Sequence, residues 1–401
     1  MKKADDQKIK EILTRGVEQV FPSLGAVEKI LAGGRKLKIY YGIDPTGKSL
    51  HLGHLIQLRK LRDFQKLGHE IIILLGDFTA QIGDPTDKMA ARKPLTHKQV
   101  LANAKDYKKQ IARILDIKSS RVRFLRNEKW TNKLKPVDLL EIASHFTTSQ
   151  LLSREMFQKR IKDGKDIHVH EFLYPIFQAY DSVTMNVDME IGGNDQMFNM
   201  LAGRDLVKKM LGKEKIVLTT RLLVDHEGKK MGKTEGNMVN LSDSPNDMFG
   251  KIMSWPDGLI VPGLELLTDI PMAGVDSLKK DLGKNANPRD IKFKLAMEIV
   301  RAYYGDGASL KAGEAFNRIF RDKKTPKEMK EVKIKSANLP VVELLRQAGI
   351  VQSNNEARRL IEQGGLKIDN ARIGDFNASV GIYDGLVIQA GRHRFVRVKR
   401  G

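Results

Sequence analysis

The chain of 401 residues contains no cysteine. This absence excludes disulfide bonds, thiolate nucleophiles and metal sites with cysteine ligands. The sequence also lacks an apolar run near the roughly 20 residues that span a bilayer, and its first residues lack the apolar stretch of a signal peptide. We therefore expect a cytoplasmic protein that has no membrane partner.

Acidic residues are few relative to basic ones. The chain has 49 Asp and Glu against 70 Lys and Arg, a formal net charge of +21. Such an excess favours a polyanionic partner, nucleic acid before others, and a solvated basic surface without a partner is the alternative. With 41% hydrophobic residues over this length, the chain can bury a large core and is expected to fold as two or three domains.

The first half of the chain alternates short apolar runs with helical patterns. LKIYYGI, residues 37–43, and HEIIILLGD, residues 69–77, are typical of buried strands. Between them, residues 53–68 have apolar side chains at helical spacing and end on a glycine. This strand-helix-strand order predicts an α/β fold with a parallel sheet, whose ligands gather at the carboxyl ends of the strands.

The second half is predicted to be organised differently. From about residue 242 to 330 the patterns indicate amphipathic helices, and the lysine-rich residues 323–335 are typical of an exposed linker. Beyond the linker, two short helices, the second capped by Ser353, lead through Gly364 and Gly365 into strands. The run GRHRFVRVKR near the end has a strand pattern that is dense in arginine.

One motif at the first strand suggests a nucleoside triphosphatase. The run Gly-x-x-x-x-Gly-Lys-Ser from Gly42 to Ser49 fits a phosphate-binding loop. Pro45 would remove a backbone donor from the middle of that loop and Asp44 would add a negative charge, so both argue against it. The triphosphatase stays an alternative, because the strand that ends at Asp77 resembles the metal-binding strand of that fold.

A second motif, His51-Leu52-Gly53-His54, lies where the strand gives way to the helix. Gly53 lets a flat adenine or ribose approach the backbone, and histidines at a helix start can face phosphates. The alternatives are a surface pair, or half of a metal site with the histidines of HVH at residues 168–170. Because the chain has no cysteine and no His-Glu-x-x-His run, we expect no metal held by protein side chains.

Two further segments carry polar residues in apolar surroundings. In EFLYPIFQAYDSV, Tyr174, Gln178 and Asp181 share one face of a predicted helix, and we expect that face to line a pocket. In EIGGNDQMFN, Gly192 and Gly193 permit close approach of a ligand to the backbone, and Asp195 suits a ribose hydroxyl.

The histidine motif, together with the later run KMGKT at residues 230–234, resembles the two signatures of class I aminoacyl-tRNA synthetases. Those signatures are His-Ile-Gly-His and Lys-Met-Ser-Lys-Ser; here Gly replaces the first Ser of the second signature and Thr the last. Within this class, nearly the whole chain is similar to the tyrosyl-tRNA synthetases. Tryptophanyl-tRNA synthetases, which share both signatures, and a noncatalytic RNA-binding protein on the same scaffold are the alternatives.

The resemblance implies three domains. Residues 1–240 would form a Rossmann-like parallel-sheet catalytic domain with an inserted connective segment. Residues 241–335 would form an α-helical anticodon-side domain and the basic linker. Residues 336–401 would form a small α+β RNA-binding domain of the ribosomal-protein (S-four) type, with phosphate contacts from Arg358, Arg359 and Lys367.

The resemblance also implies the reaction and its residues. Tyrosine and ATP would give tyrosyl-adenylate and pyrophosphate, and the tyrosyl group would pass to the 3'-terminal ribose of tRNA(Tyr), with Mg²⁺ carried by ATP and a homodimer as the assembly. The catalytic residues would be Thr46, His51, His54, Lys88, Arg92, Lys230 and Lys233. Tyrosine would contact Tyr40, Asp84, Tyr174, Gln178, Asp181 and Glu190, the last in place of the Gln of many relatives. ATP would contact Gly42, Asp44, Gly53, Gly192, Asp195, Gln196, Met231 and Thr234.

Overall fold

The computed structural model describes residues 3–85, 95–224, 238–284, 286–320, 329–391 and 394–401. The chain divides into two compact units. One contains residues 1–244 and 251–306, and the other contains residues 245–250 and 307–401. The units are cut at other positions than the three predicted domain ranges, which stay a prediction.

A six-stranded sheet forms the centre of the first unit. Its strands are β1 Val17–Phe21, β2 Lys38–Ile43, β3 Glu70–Leu75, β4 Val122–Arg126, β5 Met189–Gly193 and β6 Ile216–Thr220, in the order β1-β6-β5-β2-β3-β4. All neighbours run parallel except β1, which pairs antiparallel with β6. From β2 the chain proceeds outward to β3 and β4, and then returns to β5 on the other side. This reversal opens a crevice at the carboxyl ends of β2 and β5, and the predicted parallel sheet is confirmed.

Helices connect the strands of this sheet and follow them along the chain. Their bounds are α1 Lys3–Thr14, α2 Leu24–Ala32, α3 Leu52–Lys66, α4 Thr79–Ile82, α5 His97–Ala104, α6 Tyr107–Ile111, α7 Glu128–Thr131, α8 Pro136–Ser144, α9 Thr148–Leu152, α10 Glu155–Lys162, α11 Val169–Thr184, α12 Met197–Leu211, α13 Pro245–Met253, α14 Ile260–Leu267, α15 Met272–Gly283, α16 Pro288–Tyr304 and α17 Asp306–Phe320. Short 3₁₀ helices lie at Asn194–Gln196 and Asp257–Leu259. In the described ranges, no helix combines the length and apolar composition needed to cross a membrane.

Helix α11 has two faces with different surroundings. Ile176, Ala179 and Val183 are buried in one apolar cluster with Ala202 and Leu206 of α12. These residues recur at the three- and four-residue spacing of a helix face, so packing against α12 fixes the rotation of α11. The polar residues at other positions of α11 are therefore directed elsewhere, as the sequence predicted.

The second unit contains a small α+β structure. Its elements after α17 are β7 Lys330–Ile334, β8 Asn338–Pro340, α18 Val341–Gln347, α19 Asn354–Glu362, β9 Leu366–Ile368, β10 Ala371–Arg372, β11 Ser379–Gly381, β12 Val387–Ala390 and β13 Arg394–Arg400. One sheet has the order β10-β9-β12-β13-β7, and β11 pairs with β8. Ser353 caps α19 by accepting from the Glu356 amide at 3.2 Å, which confirms the predicted helix start.

The predicted linker is wrong for residues 330–334. They form β7, which pairs parallel with β13. Ile334 is buried in the core of the unit and Val332 packs against that core, while Lys333 is exposed. The alternation of apolar and charged residues places one face of a strand in the core. The lysine content of the segment concealed this pattern.

Candidate active site

The crevice gathers residues that are far apart in sequence. Tyr40 lies on β2, and Asp44 follows the end of that strand. Asn127 follows β4, and Glu190 lies on β5. Helix α11 contributes its polar residues from one side.

Asp181 is held by two side chains. Its Oδ2 accepts from Nδ2 of Asn127 at 3.1 Å, and its Oδ1 accepts from Nε1 of Trp130 at 2.7 Å. Only 2% of Asp181 is exposed. Burial raises the pKa of Asp181 to about 8, although both donors lower it. The carboxyl group is thus fixed in direction inside the crevice.

Asp44 orients Tyr174. The Tyr174 hydroxyl donates to Oδ2 of Asp44 at 3.0 Å, and the Thr79 hydroxyl donates to Oδ1 at 2.7 Å. Burial raises the pKa of Asp44 to about 7, the two donors lower it, and the charge of Asp84 raises it. Gly76 makes room for this carboxyl group, because a Cβ there would lie 1.9 Å from Oδ1.

Gln178 has one bonded and one unbonded amide atom. Its Nε2 donates to Oε1 of Glu190 at 3.1 Å. Its Oε1 is buried and has no hydrogen-bond partner among the residues that the structure describes. A buried carbonyl oxygen without a donor is unfavourable in isolation. The arrangement suits a ligand that brings an N–H group.

Tyr40 belongs to a buried polar network. Its hydroxyl is 2.9 Å from Oγ of Ser182, which accepts from Nζ of Lys215 at 2.9 Å. Lys215 also forms an ion pair with Oε2 of Glu190. Burial lowers the pKa of the Lys215 ammonium, and the Glu190 carboxylate opposes that change. Burial, and after it the charge of Glu190, raises the pKa of the Tyr40 hydroxyl.

Asp84 and Gln196 contact each other. Nε2 of Gln196 donates to Oδ2 of Asp84 at 2.6 Å, and Oε1 of Gln196 accepts from Nδ2 of Asn199 at 3.0 Å. Arg154 forms an ion pair with Asp84 at 3.8 Å. One residue predicted for tyrosine and one predicted for ATP therefore lie side by side.

The histidine motif caps helix α3. Nδ1 of His51 accepts from the Gly53 amide at 3.0 Å, and Nδ1 of His54 accepts from the His51 amide at 3.2 Å. The rings are 4.0 Å apart, and in the neutral form each carries its proton on Nε2. A Cβ at Gly53 would lie 2.7 Å from the His51 ring, so glycine is required for this cap. The amides of His51, Leu52 and Gly53 are bonded within the protein, so phosphate would be met here by the Nε2–H groups and the helix dipole.

The helix start also argues against a triphosphatase loop. In that loop the Lys-Ser pair opens the helix, whereas α3 begins at Leu52, after Lys48 and Ser49. The carbonyls of Pro45 and Gly47 accept from side chains of Asn103 and Tyr107, at 2.9 and 2.6 Å. These two contacts fasten the loop to the segment that contains α5 and α6.

Residues that follow the lysine motif lie beside the histidine motif. The Leu52 amide donates to the carbonyl of Val239 at 3.1 Å, the Leu241 amide donates to the carbonyl of Leu50 at 2.8 Å, and His51 forms a bridge with Asn240. Residues 239–241 therefore lie next to the start of α3. Six predicted site residues lie outside the described residues: Lys88, Arg92, Lys230, Met231, Lys233 and Thr234.

The glycines at the end of β5 let two of the protein's own side chains approach the backbone closely. A Cβ at Gly192 would lie 2.7 Å from Sδ of Met200, and one at Gly193 would lie 2.6 Å from Oδ1 of Asp195. Asp195 is on the exposed side of the following 3₁₀ turn. Gly42 and Thr46, on the other side of the crevice, are exposed as well.

Metal-binding clusters do not occur in the described ranges: no group of three or more His, Asp or Glu there could hold an ion. His168 and His170 stack with ring centroids 5.7 Å apart, and His168 is the N-cap residue of α11. Their arrangement therefore offers no support for a metal site.

The predicted RNA-binding residues lie in the second unit. Arg358 and Arg359 are exposed on α19, and Lys367 is exposed on β9. The Arg358 guanidinium lies 5.0 Å from the ring centroid of Phe376. Such a stack fixes the side chain while leaving its charge accessible.

Sequence reasoning missed Asn127, Trp130, Ser182 and Lys215. Asn127 could have been found, because a polar residue that directly follows a parallel strand lies at the ligand edge of the sheet. Ser182 is adjacent to Asp181 but appeared as filler in an apolar helix. Lys215 stands next to a strand in a lysine-rich region, where an exposed side chain is the ordinary expectation.

Comparisons with known proteins agree with this geometry. A family model described as class I tRNA synthetases (W and Y) matches residues 32–321, and a model of the tyrosine-tRNA ligase SYY-like C-terminal domain matches residues 322–401. Tyrosine-tRNA ligases of Moorella thermoacetica and Thermotoga maritima are each 41% identical to this chain. The alignments cover 96% and 98% of this chain, and 94% and 97% of those relatives.

Solved structures show the same fold. A C-terminally truncated mitochondrial tyrosyl-tRNA synthetase of Aspergillus nidulans has a TM-score of 0.64 at 21% identity, and covers 78% of this chain and 94% of its own. A tyrosyl-tRNA synthetase of Archaeoglobus fulgidus, complexed with L-tyrosine, has a TM-score of 0.61 at 23% identity, and covers 77% and 100%.

Asp181 is expected to make stability depend on pH. Its pKa is about 8 in the folded chain against an ordinary value of 3.8. The folded state therefore binds this proton more tightly than the unfolded state does. The resulting contribution to the free energy of unfolding is complete below about pH 4 and is lost as the pH rises through about 8. Without ligand, the melting temperature of Asp181→Asn should fall less between pH 5 and 8 than that of the unaltered protein. Exposed Asp163→Asn is the control, and parallel profiles for both variants would contradict the prediction.

Proposed function

Because the chain belongs to the class I tRNA synthetases for tryptophan and tyrosine, and within them to the tyrosine-tRNA ligases, we propose which residues of its crevice bind tyrosine and which bind ATP. The enzyme activates L-tyrosine with ATP and transfers the tyrosyl group to tRNA. Our assignment of residues is carried by one observation: the polar face of α11 ends in a buried Asp181 that two donors hold in place.

Asp181 and Tyr40 bind the phenol hydroxyl of tyrosine in this proposal. The Asp181 carboxyl group has a fixed direction, and the Tyr40 hydroxyl is held by Ser182. Phenylalanine would displace water from these buried polar groups without supplying the further hydrogen bonds that the phenol hydroxyl offers, which costs binding free energy. Discrimination by this means is best known from this same enzyme family.

The ammonium group of tyrosine binds at the other end, near Tyr174, Gln178 and Asp84. The Tyr174 hydroxyl donates its proton to Asp44, so its lone pairs can accept a hydrogen bond from the ammonium group. The unpartnered Oε1 of Gln178 is a second acceptor. The Asp84 carboxylate would add negative charge, and Glu190 acts behind Gln178 through its Nε2.

ATP binds across the amino terminus of α3. The tyrosine carboxylate attacks the α-phosphate, so the enzyme supplies no nucleophile and acts by positioning and by stabilising charge. Thr46, His51 and His54 would contact phosphates, while Lys88, Arg92, Lys230 and Lys233 would add positive charge. The remaining ATP contacts would come from Gly42, Asp44, Gly53, Gly192, Asp195, Gln196, Met231 and Thr234.

Magnesium fits this site only as a companion of ATP. Among the described residues no cluster of side chains could hold an ion, and phosphate oxygens are the ligands that Mg²⁺ prefers in such sites. The ion would share the negative charge of the phosphates. The protein residues do the positioning.

The second unit contacts tRNA in this proposal. Arg358, Arg359 and Lys367 are exposed cations on one small α+β structure, within the segment that the ligase C-terminal model matches. Contacts of this kind position a nucleic acid without reading its sequence. A chain that charges tRNA is expected to work in the cytoplasm.

A homodimer is the assembly we propose, because the first unit exposes several large apolar side chains. Helix α8 exposes 65% of Val137 and 70% of Leu140, and Val169 at the start of α11 is 77% exposed. Beside α8 a crevice is lined by Trp130, Leu134, Ile142, Tyr180 and Met210 together with the charged Lys129, Lys133, Asp138 and Glu141. Exposed apolar patches next to a crevice are typical of interaction surfaces.

Amino-acid-dependent exchange of pyrophosphate into ATP tests the pocket. We expect exchange with tyrosine and not with tryptophan or phenylalanine. Asp181→Ala should bring phenylalanine about 100-fold closer to tyrosine in kcat/KM, because the variant removes the carboxyl group whose hydrogen bond favours the phenol hydroxyl. Exposed Asp163→Ala should leave the ratio unchanged. If discrimination survives in Asp181→Ala, Asp181 does not bind the phenol.

Charge removal tests the RNA-binding surface. The triple variant Arg358→Gln, Arg359→Gln, Lys367→Gln should lose at least about tenfold in kcat/KM for tRNA charging, with a weaker salt dependence. Pyrophosphate exchange should be unchanged. The control removes the same charge from exposed Lys8, Lys10 and Lys29 of the first unit. Equal losses in both triple variants would show a general effect of net charge and reject the assignment.

Sedimentation tests the homodimer. Leu140→Asp places a charge in the proposed interface and should convert a dimer into a monomer, because an unpaired charge is costly to bury. Leu310→Asp, at another leucine that is 56% exposed, is the matched control and should remain dimeric. A dimer that persists in Leu140→Asp would place the interface elsewhere.

A further inference from the structure

Lys215 is buried to a degree that is unusual for a lysine. Its side chain has no exposed area. The other buried lysines in the described part of the chain, Lys60 and Lys292, keep 7% and 8% of their surface exposed. Removing an ammonium group from water costs several kcal/mol unless it is paired. Lys215 directly precedes β6, where a side chain can also point to solvent, so its complete burial requires a structural explanation.

Helix α12 is adapted to this amine. A Cβ at Gly203 would lie 2.6 Å from Nζ of Lys215 and 3.1 Å from Oγ of Ser182. Any other residue at position 203 would therefore displace the amine or the hydroxyl. The glycine lets the lysine reach between α11 and β5.

The ammonium group has two branches toward the tyrosine site. On one branch it pairs with Oε2 of Glu190, whose Oε1 accepts from Nε2 of Gln178. On the other it donates to Oγ of Ser182, which bonds the Tyr40 hydroxyl. The two branches end on residues that we assign to opposite ends of tyrosine.

The first branch decides which way the Gln178 amide faces. A carboxylate that pairs with an ammonium has no proton to donate, so it can only accept. Gln178 must then direct Nε2 to Glu190 and Oε1 to the pocket. With the amide reversed, its NH₂ group would meet the ammonium of the substrate, and two donors cannot bond each other.

The second branch restricts Ser182 in the same way. One lone pair of its Oγ is taken by Lys215. Its proton is then available to Tyr40, whose own proton is shared between the Glu190 carboxylate and any acceptor that a ligand brings. A phenol oxygen in the pocket is such an acceptor.

We propose that Lys215 is a positioning residue for tyrosine. Its ammonium group holds Glu190 and Ser182, so that Gln178 presents a carbonyl oxygen to the substrate ammonium and Tyr40 presents a donor to the phenol. This inference rests on the proposed roles of Gln178 and Tyr40. Lys215 itself contacts neither tyrosine nor ATP.

The test compares KM values in pyrophosphate exchange. Lys215→Met keeps the length of the side chain but leaves Glu190 without its cation, and should raise the KM for tyrosine at least about tenfold. The KM for ATP should change by less than about twofold, because α3 is untouched. Adding Glu190→Gln to Lys215→Met removes the unpaired carboxylate and should recover most of the loss.

A second variant covers the case in which Lys215→Met fails to fold. Gly203→Ala adds one methyl group at the Lys215 amine. This variant should also raise the KM for tyrosine and leave the KM for ATP unchanged. Ala202→Gly, at the neighbouring buried position, is the control for a change in α12 itself. Thermal melting reports whether each variant is folded.

The outcomes separate this inference from the proposed function. If Gln178→Ala leaves the KM for tyrosine unchanged, the proposed site fails. If Gln178→Ala raises that KM while folded Lys215→Met does not, only the role of Lys215 is overturned. A proportional rise in both KM values, or no recovery in the Lys215→Met, Glu190→Gln double variant, overturns it as well.

Discussion

The parallel register of β2, β5 and β6 is the constraint on which the tyrosine side of the crevice depends. Tyr40 of β2 stands opposite Glu190 of β5, and Glu190 stands opposite Val217 of β6. Side chains alternate between the faces of a strand, so a slip of one residue would turn Tyr40 away from Glu190. Lys215, which directly precedes β6, reaches Glu190 only in this register. Backbone pairing thus brings together groups whose charges need each other.

Buried carboxyl groups dominate the side that we assign to tyrosine, and each takes donors from other segments of the chain. Asp181 of α11 takes donors from the segment after β4, Asp44 takes donors from α4 and α11, and Glu190 takes them from α11 and from Lys215. Networks of this kind specify one arrangement, because a half-satisfied network in a low dielectric is costly. Burial raises the pKa of Asp44 and Asp181, and the donors only partly oppose it. The same pairing that makes the pocket specific therefore limits which residues can be exchanged singly.

Local patterns predicted much of this architecture. The strands around Tyr40 and Ile72, the polar face of α11 and the Ser353 cap are short-range signals, set by periodicity and capping. The partners of Asp181 and Glu190 come from segments that are far away in sequence, so no local pattern identifies them. Lys215 was missed for this reason, since only tertiary packing distinguishes a buried lysine from an exposed one. Composition also misled at β7, where lysines on the exposed face hid the buried Ile334.

The two sides of the crevice are built on different physical principles. The tyrosine side uses side chains that are buried and mutually bonded, which suits a rigid substrate that must be distinguished from a near copy. The side that we assign to ATP has the amino terminus of α3, the capping histidines and the exposed Asp195 after β5, which suits a charged substrate shared by many enzymes. The segment at 239–241 pairs with the residues at 50–52, which fixes it beside the start of α3. A change at Lys215 should therefore alter tyrosine binding with little effect on ATP, because its bonds to Glu190 and Ser182 lead to Gln178 and Tyr40 and to no residue that we assign to ATP.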